Sequence, residues 1–279
     1  MNNFKIFKKI NYNQESIEKQ NQIDLICTTI VEEMSKFGYR EVKEHDENDK
    51  ISYVFSIGGD GTMLHAMQKH VSNQSIVIGI NAGNLGFLTP FSIEQVLSKE
   101  IFSIIKCDKY KIEKRSILKS KLSLSDETSI AVNEFAFYGN EVNSLFDFSM
   151  EIDYNGQSSK AGLYKANTLI ISGPCGSTAY NMNAGGCIVD PTVRCMQILM
   201  LAPSTIVRPL IVGKNSNIKI QFTHDSKIFI DGAHYKDVSA SDSISISLVQ
   251  EEVQVLLPLD WNFYSVLSKK LHWNNGRDV

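Results

Sequence analysis

None of the five cysteines, Cys27, Cys107, Cys175, Cys187 and Cys195, stands in a CxxC or CxxH spacing, and their number is odd. Neither a disulfide framework nor a zinc site is indicated, and a reducing, cytoplasmic setting is expected. No apolar run approaches the length of a membrane span, and the polar N-terminus shows no apolar stretch of the secretory kind, so a cytosolic protein without membrane contact is expected. The net charge is only −3, too balanced for a polyanion binder. A local basic run, Lys106, Lys109, Lys111, Lys114, Arg115, Lys119 and Lys121, is interleaved with Ile112, Ile117, Leu118 and Leu122. It is expected to form the solvated face of strands rather than a nucleic-acid patch. Internal repeats and low-complexity segments are missing. What remains is a chain of 279 residues, 43% hydrophobic and 21% charged, with the composition of a globular protein of one large or two smaller domains.

The chain is organised around residues 51–57, Ile-Ser-Tyr-Val-Phe-Ser-Ile, followed by Gly58-Gly59-Asp60-Gly61-Thr62 and a helix-prone run over 63–70. A buried strand thus ends in a Gly-rich turn that opens a helix. Such a turn lets the backbone approach a ligand, and the N–H groups at the helix start suit a phosphate. A carboxylate beside a phosphate would repel it unless Asp60 serves the other reactant. It can take the proton of a hydroxyl as that oxygen attacks a phosphoryl group, with Mg²⁺ neutralising the phosphates. The plainer alternative is a connecting turn with Asp60 as the helix N-cap.

Around this centre the pattern is strand, helix, strand: an apolar stretch at 4–7, helical spacing over 14–37 ending at Gly38, a polar loop over 44–50, and a buried strand over 75–80. Alternation of this kind argues for a parallel α/β sheet. A second Gly-rich loop, from Asn81 to Thr89, follows that strand, on the edge where open α/β folds bind ligands. It serves either to hold Phe87 and Leu88 in the core or to offer Asn81 and Phe87 to a ligand. From about residue 106 the texture changes to short β-prone runs over 110–124, 128–138, 146–154, 168–172, 197–201, 210–212, 217–222, 227–230 and 243–257, which indicates an antiparallel β domain. Residues 261–271 read as a helix packing back on the first domain.

Two islands stand out in the β region. Asn133-Glu134 follows an apolar run, and on local evidence this is a surface turn. The second runs from Ser172 through Gly176-Ser177-Thr178-Ala179-Tyr180 to Gly186, dense in glycine and small hydroxyls, which suits a loop and helix start enclosing a sugar or phosphate as well as a plain connection.

Taken together these residues resemble the NAD kinase family. Residues 57–62 look like its GGDGT motif, 81–89 like NxGxLGFLT, Asn133-Glu134 like NE and 176–180 like GSTAY, with Ala184-Gly185-Gly186, Arg208-Pro209-Leu210 and Ile230-Asp231-Gly232 in matching order. The likeness covers roughly residues 51–273. It implies an α/β domain over 1–105 to which 262–279 return, a β-sandwich substrate domain over 106–261, and a homo-oligomer. It also implies phosphoryl transfer from ATP or polyphosphate to the adenosine 2′-hydroxyl of NAD, with Mg²⁺ or another divalent cation. Asp60 would take the proton, late, because an aspartate of ordinary pKa is too weak to ionise an alcohol beforehand. By the same likeness Gly61 approaches the nucleotide and His65 sits near phosphate, though on its own His65 is equally a surface helix residue. Asn133 and Glu134 hold adenine and ribose, and Thr178, Ala179, Tyr180 and Asn183 line the dinucleotide site.

Departures fall on the substrate side. Asn167-Thr168 replaces the usual Asp-Gly, beside Lys165 where a basic residue is usual. Cys175 replaces a Ser or Thr that helps read the adenine, and residues 202–205 carry no His after the Pro. These changes keep open a related kinase of another nucleotide or nucleoside, or a nucleotide-binding regulator that no longer turns over. A lipid kinase also carrying GGDGT fits less well, since Asn133-Glu134 and residues 176–180 have no place there.

Overall fold

The structure, a computed structural model, describes residues 2–8, 17–43, 50–71, 74–84, 86–141 and 144–271. The polar stretch at 44–49, the start of the first helix at 14–16, Leu85 of the second Gly-rich loop and the tail from 272 lie outside the described residues. The chain forms two compact units, Met1–Lys114 with Val253–Val279, and Arg115–Glu252.

The first unit is built on parallel strands. Tyr39–Glu41, Asn2–Lys8, Ile51–Gly58 and Ile76–Asn81 lie side by side in that order, and Gln254 and Val255 pair parallel with Ile76 and Val77. A parallel strand covered on both faces reads as a continuous apolar run, and Val54 to Gly58 are buried without a break. The helix Ile17–Lys36 turns Ile23, Ile26, Ile30 and Met34 inward at helical spacing, and Gly38 ends the segment at φ +79°, where a side chain would be strained. These residues join Phe4, Phe55, Ile78, Phe102 and Leu256 in one core. The C-terminal helix Phe263–Leu271 belongs to this unit and buries Phe263 and Leu267.

The second unit is antiparallel. One sheet orders Leu210–Gly213, Cys195–Leu201, Thr168–Ser172, Glu134–Gly139, Ser226–Ile230 and Ala233–Val238. Another places Gln157–Ala166, Phe146–Tyr154 and Ser216–Phe222 beside residues 243–247. Alternation supplies the filling: Ile218, Ile220 and Phe222 face inward and Lys219 outward. Phe135, Phe137, Phe146, Phe148, Ile198 and Ile246 form the shared core. An α/β unit with a parallel sheet, an antiparallel β sandwich and a returning helix are therefore present as expected.

Two strands longer than three residues escape the sequence pattern, Gln157–Ala166 and Ala233–Val238. Each ends its sheet, and both are largely exposed, so neither needs alternating apolar residues. Within the basic run, Lys119 and Lys121 are exposed as expected, but Arg115 is buried. None of the five cysteines is in a disulfide, and among the described residues no helix is long and apolar enough to cross a membrane.

Candidate functional site

In the first unit the strand Ile51–Gly58 runs directly into the helix Asp60–Lys69. Gly59, not Asp60, is the N-cap, and it makes no side-chain capping bond, so the capping role is overturned. Asp60 is instead the first helical residue and turns its carboxylate to the second Gly-rich loop. Its Oδ2 accepts the backbone N–H of Phe87 at 2.8 Å and its Oδ1 that of Leu88 at 2.9 Å. Two backbone donors hold the two oxygens separately, which fixes the carboxylate plane as well as its position.

Glycine is required here by close approach. A Cβ on Gly86 would stand 2.1 Å from Asp60 Oδ1 and 2.5 Å from Thr89 Oγ1, and one on Gly58 would stand 2.3 Å from Thr62 Oγ1. Gly59, Gly61 and Gly83 have open space where a side chain would be. The turn is therefore packed on the side of the carboxylate and clear beside it.

The other predicted residues of this unit divide. Asn81 spends its side chain on its own loop, accepting from Gly83 N–H at 2.8 Å and donating to the Asn84 carbonyl at 2.9 Å. Phe87 is 9% exposed, with its ring 6.4 Å from that of Phe263, so its side chain packs in the core while its N–H serves Asp60. His65 lies exposed further along the helix, its ring edge on Phe7 at 5.9 Å. Lys270 was not anticipated. Its Nζ lies 4.0 Å from Asp60 Oδ2 and 4.4 Å from the Phe87 ring centre.

In the second unit Asn133 and Glu134 are 8% and 4% exposed, which overturns the surface turn. What makes burial tolerable is Asp231, distant in sequence. Its carboxylate accepts the N–H groups of Val132, Asn133 and Glu134 at 2.9, 2.7 and 3.0 Å, and its own N–H donates to the Glu134 carbonyl at 3.1 Å. Asp231 and Gly232 have φ of +48° and +83° between the paired strands Ser226–Ile230 and Ala233–Val238. This is the Asp-Gly hairpin turn in which both central residues are left-handed.

The segment 173–186 closes on the same place. Gly173 N–H donates to the Asn133 carbonyl at 2.9 Å, and a Cβ on Gly176 would stand 2.2 Å from that oxygen. Ser177 is buried and bonded through its hydroxyl to both N–H and carbonyl of Val189, and Thr178 donates to the Cys175 carbonyl at 3.3 Å. Cys175 is buried in the short helix Cys175–Thr178, while Ala179 and Tyr180 are half-buried and Asn183 is exposed.

Burial pushes the Glu134 carboxyl up to about 8, with the Asp231 carboxylate adding to the rise and the Tyr180 backbone N–H opposing it. Glu134 Oε2 has no hydrogen-bond partner among the described residues. At neutral pH Glu134 is thus a neutral acid able to donate a hydrogen bond, next to an anionic Asp231 saturated by backbone donors. Burial, and then its hydrogen bond with Tyr180, also raises the Tyr138 phenol.

Lys165 and Asn167 lie elsewhere. Ser172 pairs with Glu134 and Thr168 with Tyr138, so Thr168 sits a strand's length, about 14 Å, from Glu134, with Asn167 beyond it and Lys165 on the preceding strand Gln157–Ala166. Asn167 donates to the Ser144 carbonyl at 3.2 Å and accepts from Thr168 Oγ1 at 2.9 Å. Lys165 Nζ is 3.5 Å from Asp147 Oδ2, on a cavity of about 540 Å³ lined also by Gly139, Ser144, Thr223 and His224. Among the described residues no group of three or more His, Cys, Asp or Glu is placed to hold a metal ion.

Comparison with known proteins finds relatives over most of the chain. A family model described as ATP-NAD kinase N-terminal domain matches residues 8–106, and one described as ATP-NAD kinase C-terminal domain matches residues 132–257. The chain is 33% identical over 239 residues to the NAD kinase of Colwellia psychrerythraea, covering 82% of this chain and 79% of that protein. To the NAD kinase of Thiobacillus denitrificans it is 30% identical over 235 residues, with the same shares of 82% and 79%. Two solved structures share the fold. Yeast NADH kinase complexed with NADH has a TM-score of 0.84 at 20% identity, covering 100% of this chain and 89% of that one. An NAD kinase from Archaeoglobus fulgidus in complex with ATP has a TM-score of 0.73 at 20% identity, covering 98% and 99%. With both of its halves matched by the family's two domain models, the chain belongs to the NAD kinase family.

Proposed function

We propose that this protein is an NAD kinase, transferring a phosphoryl group from ATP or polyphosphate to the adenosine 2′-hydroxyl of NAD to make NADP. The observation that carries the mechanism is the seat of Asp60, whose oxygens are held at 2.8 and 2.9 Å by the N–H groups of Phe87 and Leu88, beside the clear ground at Gly59, Gly61 and Gly83. A carboxylate so fixed accepts the hydroxyl proton as the oxygen reaches phosphorus, and positioning supplies most of the acceleration. Gly61 and His65 face the phosphates. Asn133 and the neutral Glu134 take the adenosine, and Thr178, Ala179, Tyr180 and Asn183 line the dinucleotide. Lys165 and Asn167, beyond the Thr168 end of the strand, suit the far end of an elongated ligand.

When bound with the donor, Mg²⁺ would supply neutralisation of its phosphates, while Asp60 accepts the hydroxyl proton. A homo-oligomer, and a cytoplasmic location suited to five cysteines in no disulfide, complete the proposal. A second reading, kinase action on another adenine nucleotide, is favoured by Asn167 and Cys175; competition binding of NAD against other adenine nucleotides separates the two.

The test is NADP formation by the purified protein with NAD, ATP and Mg²⁺, beside Asp60→Asn. The variant is expected to lose roughly 10²–10⁴-fold in turnover, the usual contribution of a positioned base. It also trades one of the two acceptor oxygens for an amide that opposes an N–H, so it should melt a few degrees lower. A folded Asn variant with normal turnover removes Asp60 from the mechanism.

A further inference from the structure

Lys270 reaches the proposed base from the C-terminal helix, and the helix is registered there. Phe263 and Lys270 are seven residues apart, two turns, and so share a face; Phe263 packs on the Phe87 ring at 6.4 Å and the Lys270 ammonium lies 4.4 Å from the centre of the same ring. Phe87 in turn donates its N–H to Asp60 Oδ2, the oxygen that Lys270 faces at 4.0 Å. The ammonium is thus held by ring and helix at one fixed place beside the carboxylate.

Its distance is informative. A structural ion pair closes to about 2.7–2.9 Å, as charge-assisted hydrogen bonds do. Lys270 stands off at 4.0 Å, and both oxygens of Asp60 already have backbone donors. The lysine is therefore not needed to satisfy the carboxylate. The two side chains are partly exposed, 28% for Lys270 and 31% for Asp60, so both remain open to a third group. Lys269, its neighbour in sequence, lines a cavity with Gly86, Thr89, Glu100 and Asp260, and so also borders the loop that seats Asp60.

We propose that Lys270 is a catalytic cation that contacts the oxygens of the transferring phosphoryl group and holds that group against Asp60. This rests on the kinase reading given above. In the step, the acceptor oxygen forms its bond to the terminal phosphorus of the donor, and the bond from that phosphorus to the bridging oxygen breaks with its electron pair leaving on the donor's phosphate. The hydroxyl proton passes to the Asp60 carboxylate. Lys270 keeps its protons and neutralises charge on the three equatorial oxygens, which carry it in a loose transition state.

The experiment uses the full chain with Lys270→Met, which keeps an apolar stem on Phe87, Lys270→Arg, which keeps the charge, and Lys119→Met, at an exposed lysine of the second unit, as control. For Lys270→Met, kcat for NADP formation is expected to fall roughly 100-fold or more. Its ATP affinity should weaken about tenfold, as loss of a contact to a charged group implies, while NAD affinity stays within about twofold of wild type. Lys270→Arg recovers much of the rate, and Lys119→Met is unchanged. Wild-type kcat in Lys270→Met overturns the proposal, and so does a loss that tracks a lowered melting temperature and is shared by Lys270→Arg. Should the wild-type protein form no NADP, the kinase reading fails by itself. ATP binding then still decides Lys270, since equal affinity in wild type and Lys270→Met overturns the contact.

Discussion

Replacing Glu134 with glutamine isolates a buried proton. In the folded chain this carboxyl sits at about 8, raised chiefly by burial from the value of 4.5 that it has when free. Below pH 4.5 the folded and unfolded chains both carry the proton, and burial of the neutral acid costs nothing extra. Between 4.5 and 8 the unfolded chain releases its proton and the folded one keeps it, so stability falls as pH rises. The slope is about 1.4 kcal/mol per pH unit, and the loss reaches on the order of 4–5 kcal/mol by pH 8, beyond which it is flat. Glutamine has nearly the shape of the neutral acid and cannot ionise, so the variant escapes this loss. It brings an amide where Oε2 has no partner among the described residues, a cost of about 1–3 kcal/mol at every pH. Urea unfolding at pH 5, 6, 7 and 8 should therefore show Glu134→Gln slightly less stable than wild type at pH 5 and more stable at pH 8, the two curves crossing between. Parallel curves across this range would refute the assignment of a neutral acid to Glu134.

Two further predictions bear on the seats of the proposed groups. Gly86→Ala places a methyl 2.1 Å from Asp60 Oδ1 and should cost roughly 100-fold or more in turnover with the fold retained, measured by NADP formation and circular dichroism together. Asp231→Asn keeps the left-handed turn but leaves at least one of the N–H groups of Val132, Asn133 and Glu134 facing an amide. It should cost about 1–3 kcal/mol in urea unfolding and raise the KM for NAD more than it lowers kcat.

Legibility followed burial and locality. The strand into Gly58-Gly59-Asp60-Gly61-Thr62 declares itself because a buried parallel strand must be apolar throughout and the turn after it must be glycine-rich, both local demands. The exposed edge strands Gln157–Ala166 and Ala233–Val238 carry no such demand and left no pattern. Asn133-Glu134 resembles a surface turn because the group that makes burial tolerable, Asp231, comes nearly one hundred residues later. Its Asp-Gly pair signals a hairpin, but nothing local says that the aspartate reaches three backbone donors. Lys270 was hidden in the same way, as one of two adjacent lysines on a terminal helix, distinguished only by which of them faces Phe87.

The seat of Asp60 is made wholly of main-chain donors. The orientation of the base is therefore written in the path of the loop and not in the side chains that decorate it. Side-chain changes at 87 and 88 leave both donors in place wherever the loop path is kept, although at Phe87 they give up the ring that packs on Phe263 and carries Lys270; proline, which has no N–H to give, is the one residue that removes a donor outright. The two main-chain donors and the intolerance at Gly86 are one constraint, seen from the two sides of the same carboxylate.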